Sequence, residues 1–149
     1  MTSAPSGTFR TADGELNIAA NKQEQFVALC RALGRLDLIT DLRFVTREDR
    51  KANREALQSE LEASLRKGSA LEWEELLASA GVPAARVLTV PQALGLVPEL
   101  IHSLPFPGAP ERTIHVLGNG IRVNGRAAAP CSPPPLLGEH NDDILEERR

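Results

Sequence analysis

The sequence predicts an α+β fold: a small domain with a short antiparallel sheet and about three to four helices, followed by a hairpin and an extended Pro-rich arm with a short terminal helix. Three observations predict it. Alternating apolar residues flank an Asp13-Gly14 turn signal, and three segments with apolar residues at helical spacing follow, each closed by a glycine. Beyond Gly81 the texture changes to short β-type runs broken by proline and glycine.

Thr8 to Thr11 and Leu16 to Ala19 alternate on either side of Asp13-Gly14, the pattern of a β-hairpin, after the polar lead-in Ser3 to Gly7. Asn21 can cap a helix with Glu24 reaching back, and Phe26, Leu29, Cys30 and Leu33 form its buried stripe before Gly34. Leu36 to Phe44 reads as a short connecting turn or helix. Thr46 then opens a long segment in which Leu57, Leu61 and Leu65 share one narrow stripe up to Gly68, as in a half-exposed helix. Ser69 with Glu72 gives another capping box, and Trp73, Leu76, Leu77 and Ala80 one apolar face ending at Gly81.

Arg86-Val87-Leu88 reads as a short strand, Thr89-Val90-Pro91-Gln92 as the capped start of a brief helix, and Leu94 to Leu100, broken by Gly95 and Pro98, as irregular. Thr113 to Leu117 and Ile121 to Val123 predict a second hairpin about Gly118-Asn119-Gly120, ended by Asn124-Gly125. Ala127 to Pro135 must be extended, because Pro133, Pro134 and Pro135 cannot enter a helix; Gly138 precedes a short acidic helix through Ile144 and Leu145. Such a tail buries little by itself and suits lying along another surface.

A chain of 149 residues, 42 % apolar and 25 % charged, can build one ordinary core or two small lobes. Its net charge of -3 supplies no broad basic field, and with Trp73, four Phe and no Tyr it lacks stacking platforms, which argues against nucleic acid as a partner. The alternating charges of Arg47 to Arg54 read as a solvated helix face. Cys30 and Cys131, without a CxxC pair or an apolar signal segment, fit a reducing cytoplasm. No apolar run reaches the roughly 20 residues that span a bilayer.

Candidate chemistry is sparse. His102, His115, His140 and Cys131 show none of the close pairs typical of metal sites, so no metal is expected. Cys30 lies on a core stripe and Cys131 among prolines, and both read as structural rather than nucleophilic. Gly118-Asn119-Gly120 could face a phosphate, but β-branched flanks favour a tight turn; Pro133-Pro134-Pro135 reads as a rigid spacer rather than a polyproline ligand. Glu139 and His140 with Asn141, Asp142 and Asp143 concentrate acid–base groups, although acidic residues in a first helical turn are what the helix dipole favours. No catalytic residue emerges from the residues alone.

Taken in order, Pro5 to Gly14, then Leu16 to Asn21 and Phe26 to Cys30, resemble a segment of the family III CoA-transferases, the CaiB/BaiF family. Gly81-Val82-Pro83 with Val87-Leu88-Thr89 and Ala93-Leu94 looks like that family's next landmark. Pro133 to His140 with Asp143-Ile144-Leu145 resembles its closing motif. The resemblance implies a large Rossmann-like domain, a small α+β domain and a chain that returns to the large one. On that pattern residues 1–100 are the small domain and 101–149 the hairpin and Pro-rich C-terminal arm.

The family's catalytic aspartate lies upstream of everything matched and does not map onto Asp13, Asp37, Asp41, Asp49, Asp142 or Asp143. The resemblance places Pro5, Ser6 and Gly7 near the active-site mouth, where some relatives carry a glycine-rich loop; this sequence has one glycine there. It also implies a coenzyme A thioester as substrate of the full-length family, with no tightly bound cofactor. The expectation is the C-terminal part of such a transferase, inactive alone and partnered by a missing or separate large domain. The alternative is a non-enzymatic protein-interaction or dimerisation module, which would pair as a homodimer.

Overall fold

The computed structural model describes residues 3–128, 130 and 132–146. They divide into two units, the first ending at Val87 and the second beginning at Leu88.

In the first unit β1 (Ser6–Arg10) and β2 (Glu15–Ala19) pair antiparallel, with Phe9 opposite Leu16 and Gly7 opposite Ile18. Thr11 N–H closes the turn on Gly14 O at 2.8 Å. The period of two sends Leu16 and Ile18 to the core while Glu15 and Asn17 stay exposed. β3 (Ala84–Arg86) adds antiparallel to the other side of β2, giving the order β1-β2-β3. This strand ends at Arg86, where the sequence pattern starts it.

Five helices lie between β2 and β3. α1 (Gln23–Ala32) is capped by Lys22, one residue later than the Asn21 pattern predicts, with Lys22 N–H donating to Gln25 Oε1 at 3.1 Å. Asn21 is engaged elsewhere, accepting from Ser3 Oγ at 2.6 Å. Phe26, Leu29 and Cys30 are buried as their spacing predicts, and the helix ends where Gly34 takes φ +68°. α2 (Asp37–Thr40) is the short connector.

The segment opened by Thr46 is two helices rather than one, α3 (Arg47–Ala52) and α4 (Arg54–Leu65). They part at Asn53 (φ -106°, ψ 33°), whose side-chain amide donates to Arg43 O and Asp49 O. Asparagine's ability to bond nearby carbonyls competes with continued helix, which is the physical reason for the break. Leu57, Leu61 and Leu65 line the buried stripe of α4. α5 (Ala70–Ser79) begins with the Ser69–Glu72 capping box, Ser69 N–H donating to Glu72 Oε2 at 2.8 Å. Its buried face is narrower than predicted: Leu77 is buried, Leu76 is 44 % exposed, and Trp73 is half-buried with its indole N–H on Leu65 O at 2.7 Å.

The second unit opens with α6 (Val90–Gly95), capped by Thr89 and Gln92. β4 (Ile101–Phe106) and β5 (Ala109–Leu117) then form a hairpin that turns at Pro107-Gly108, with Gly108 at φ +74°. The strand Thr113 to Leu117 thus pairs with Ile101 to Pro105, not with Ile121 to Val123 as its sequence suggests. A register irregularity at Pro105/Phe106 accommodates the prolines that disguise this strand. Asn124-Gly125 is the turn of a further hairpin, β6 (Arg122–Val123) with β7 (Arg126–Ala127), rather than the end of one. Both its residues take positive φ, 52° and 79°, as a tight primed turn requires. Residues 132–135, the proline run among them, belong to no helix or strand, and α7 (Asn141–Glu146) closes the described chain.

The chain is therefore mixed α+β, with small antiparallel sheets and seven α-helices among the described residues. The described buried side chains, from Ala4 to Val82, form the core of the first unit. No described helix is long and apolar enough to cross a membrane.

Candidate functional site

Pro5, Ser6 and Gly7 form the entry to β1, and two arginines hold the backbone around them. Arg50 of α3 is fully buried, its Nε donating to Ala4 O at 3.2 Å and its Nη1 to Gln23 Oε1 at 2.9 Å and Phe44 O at 3.0 Å. The guanidinium carbon lies 4.3 Å from the Phe26 ring centroid. Carbonyl dipoles and an aromatic face thus surround a buried cation that pairs with no carboxylate among the described residues. Burial lowers its pKa from the usual arginine value.

Arg54, at the first turn of α4, donates from Nη1 to Ser6 O at 3.0 Å and from Nη2 to Ser3 O. Pro5 O accepts from Ala20 N–H at 3.0 Å. The carbonyls of Ser3, Ala4, Pro5 and Ser6 are all engaged, and the chain then passes through Gly7 at φ +147°, with open space where a Cβ would stand. A cleft of about 10 Å³ lies against Pro5, Ser6, Phe9 and Arg54, room for one water and no more.

The two arginines are the residues that sequence reasoning missed. The alternating charges of Arg47 to Arg54 suggested a solvated face, yet Arg50 points into the core. Asn53 parts α3 from α4 between them, and both side chains nevertheless reach the Ser3–Ser6 backbone.

The remaining candidates do not converge. Asp13 Oδ1 accepts from Ala70 N–H at 2.8 Å and so serves the start of α5. Asp37 and Asp41 pair with Arg35 and Arg43 at 2.8 and 2.7 Å, each held below the usual carboxylate range by its arginine. Asp49 belongs to the Thr46 capping box, whose hydroxyl lowers its pKa. Asp142 and Asp143 occupy the first turn of α7, with His140 Nδ1 3.9 Å from Asp143 Oδ2.

His115 Nδ1 lies 3.1 Å from Ser103 Oγ, whereas His102 pairs in register with Val116, so the two histidines take alternate faces of the β4–β5 ladder. Among the described residues no group of three or more His, Cys, Asp or Glu could hold a metal. Cys30 is fully buried, and burial pushes its thiol up to about 12, which makes it an inert core residue. Cys131 lies outside the described residues. Gly118-Asn119-Gly120 follows β5 with Gly118 N–H on Leu100 O at 2.7 Å, and it leads into β6 rather than into a helix.

The family described as CoA-transferase family III matches residues 1–141. The probable fatty acyl-CoA transferase Rv3272 of Mycobacterium tuberculosis is 36 % identical over 142 residues, which cover 95 % of this chain and 36 % of that protein. Human succinyl-CoA:glutarate CoA-transferase is 32 % identical over 151 residues, covering 96 % of this chain and 33 % of its own. An orthorhombic crystal structure of Rv3272 superposes with a TM-score of 0.77 at 34 % identity, over 96 % of this chain and 40 % of that one. A CaiB/BaiF family protein from Brucella suis gives 0.73 at 29 % identity, over 99 % and 38 %. The chain spans about a third of the length of the curated relatives it matches.

Proposed function

This chain belongs to CoA-transferase family III, and we propose that it forms the C-terminal part of a transferase that moves CoA between acyl-CoA thioesters and carboxylic acids. In this reading the small domain and the arm after it work with a Rossmann-like domain that brings the catalytic aspartate. Pro5, Ser6 and Gly7 lie near the mouth of the shared site. One observation carries the reading: nearly the whole chain aligns, at more than a third identity, with only about a third of a family member. The carboxylates themselves agree with it, because Asp13, Asp37, Asp41 and Asp49 are each committed to a cap or an ion pair.

The test is direct. The purified 149-residue chain, given succinyl-CoA and glutarate, should transfer no CoA. Mixing it with a separately produced large domain of a family member should restore transfer. Transfer by the chain alone would overturn the proposal.

A second reading, a non-enzymatic interaction or dimerisation module, is favoured by one feature: among the described residues of the second unit Leu117, Leu136, Leu137 and Leu145 are largely exposed. Sedimentation across a concentration series separates the two. Self-association that persists in the presence of the large domain favours the module; a monomer that binds the large domain favours the enzyme part.

A further inference from the structure

We propose that Arg50 and Arg54 are positioning residues that set the backbone of the Ser3–Gly7 segment, keeping Gly7 in its positive-φ conformation with its open side toward substrate. The inference rests on the reading of Pro5 to Gly7 as substrate-proximal. Its geometric part stands separately. Arg50 Nε holds Ala4 O, while Arg54 spans the cis Ala4-Pro5 bond by holding Ser3 O and Ser6 O together. With Pro5 O on Ala20 N–H, the direction of each peptide plane before Gly7 is determined from α3, α4 and the end of β2.

Arginine is an expensive way to fill this space. A buried guanidinium without a carboxylate partner contributes less to stability than an apolar side chain of similar volume, and Arg50 Nη2 finds no acceptor among the described residues. What the guanidinium adds is a planar fork that fixes carbonyl directions, which a lysine ammonium, a point charge, does not reproduce. Gly7 shows why direction matters. At φ +147° a side chain is strained although nothing occupies its place, so the segment is shaped by conformation and leaves its outer face empty.

The experiment uses the whole chain with Arg54→Lys, Arg50→Met and, as a control for general destabilisation, Arg35→Ala in the ion pairs of α2 and α4. Amide hydrogen exchange is read first. Arg54→Lys should raise exchange at Gly7 and its β1 neighbours by about tenfold while the amides of α1 keep their protection. Arg50→Met, which retains buried volume, should do the same if it folds; Arg54→Lys alone decides the matter if it does not. Unchanged exchange at Gly7, or a rise spread evenly over the core as in Arg35→Ala, would overturn the clamp.

Kinetics come second, in the mixture with the large domain and with succinyl-CoA as the probe. Arg54→Lys should lower kcat by roughly a hundredfold with KM for succinyl-CoA little changed, as expected when bound groups are misaligned rather than lost. A local rise in exchange with full kcat would refute the positioning role and leave the clamp as architecture. If the wild-type mixture itself transfers no CoA, the functional reading fails, and the exchange result still decides the geometry.

Discussion

The two units of this chain use the same kinds of element to opposite ends. In the first, a three-stranded sheet and its helices enclose Leu16, Ile18, Phe26, Leu29, Leu61 and Leu77 away from solvent. In the second, the β4–β5 ladder runs from Ile101 to Leu117, longer than any pairing in the first, yet none of its side chains is buried. Backbone pairing alone therefore does not make a core. A two-stranded hairpin has no second layer to bury its faces, and its apolar residues remain available to another surface.

The largest test of this contrast is truncation on each side. Phe26→Ala should cost about 3–5 kcal/mol in urea unfolding, as deletion of a fully buried ring does. Leu117→Ala should stay within about 0.5 kcal/mol, since Leu117 is 61 % exposed. Equal costs would mean that the second unit has a core after all.

Cys30 sharpens the same point through pH. Its thiol is pushed up by burial from 9.0 to about 12, so between those values the unfolded chain has lost a proton that the folded chain keeps. The folded state binds more protons there, and stability must fall as pH rises. In a Cys131→Ala background, Cys30 should resist a thiol reagent until urea unfolds the chain, and Cys30→Ala should flatten the alkaline loss measured by urea titration from pH 9 upward.

A smaller effect is expected at the helix start. Ser69→Ala removes the hydroxyl that accepts from Glu72 N–H and should cost about 1 kcal/mol in chemical denaturation. Arg35→Ala, which breaks the pairs to the partly exposed Asp37 and Glu60, should lower the urea midpoint only slightly, and less at high salt. The Asp37 carboxyl is lowered by Arg35, so this contribution is present above the ordinary carboxylate pKa and fades as pH falls through the depressed one. A melting series in acid should show Arg35→Ala converging on wild type.

Legibility in the sequence follows the same division. The Asp13-Gly14 hairpin, the stripe of α1 and the Ser69 capping box could all be read because local signals there agree with a core that enforces them. Along β4 and β5 no burial ties pattern to structure. Thr113 to Leu117 therefore looked ready to pair across Gly118-Asn119-Gly120, while its actual partner was hidden by Pro105 and Pro107. The candidate site was legible only as a place, Pro5 to Gly7, and only by resemblance. The inward turn of Arg50 was not, because charge alternation on a helix does not reveal which way a break rotates one residue.

Asp13 ties the tip of the first hairpin to a distant part of the chain. Its carboxylate in the hairpin turn receives Ala70 N–H across a separation of 57 residues. The hairpin turn closes over a few residues, whereas this bond closes a loop that contains α1 to α4. The Asp13 contact therefore carries the closure entropy of the whole stretch between its partners, so a single carboxylate at the tip of the hairpin staples the ends of the longest excursion between β2 and α5.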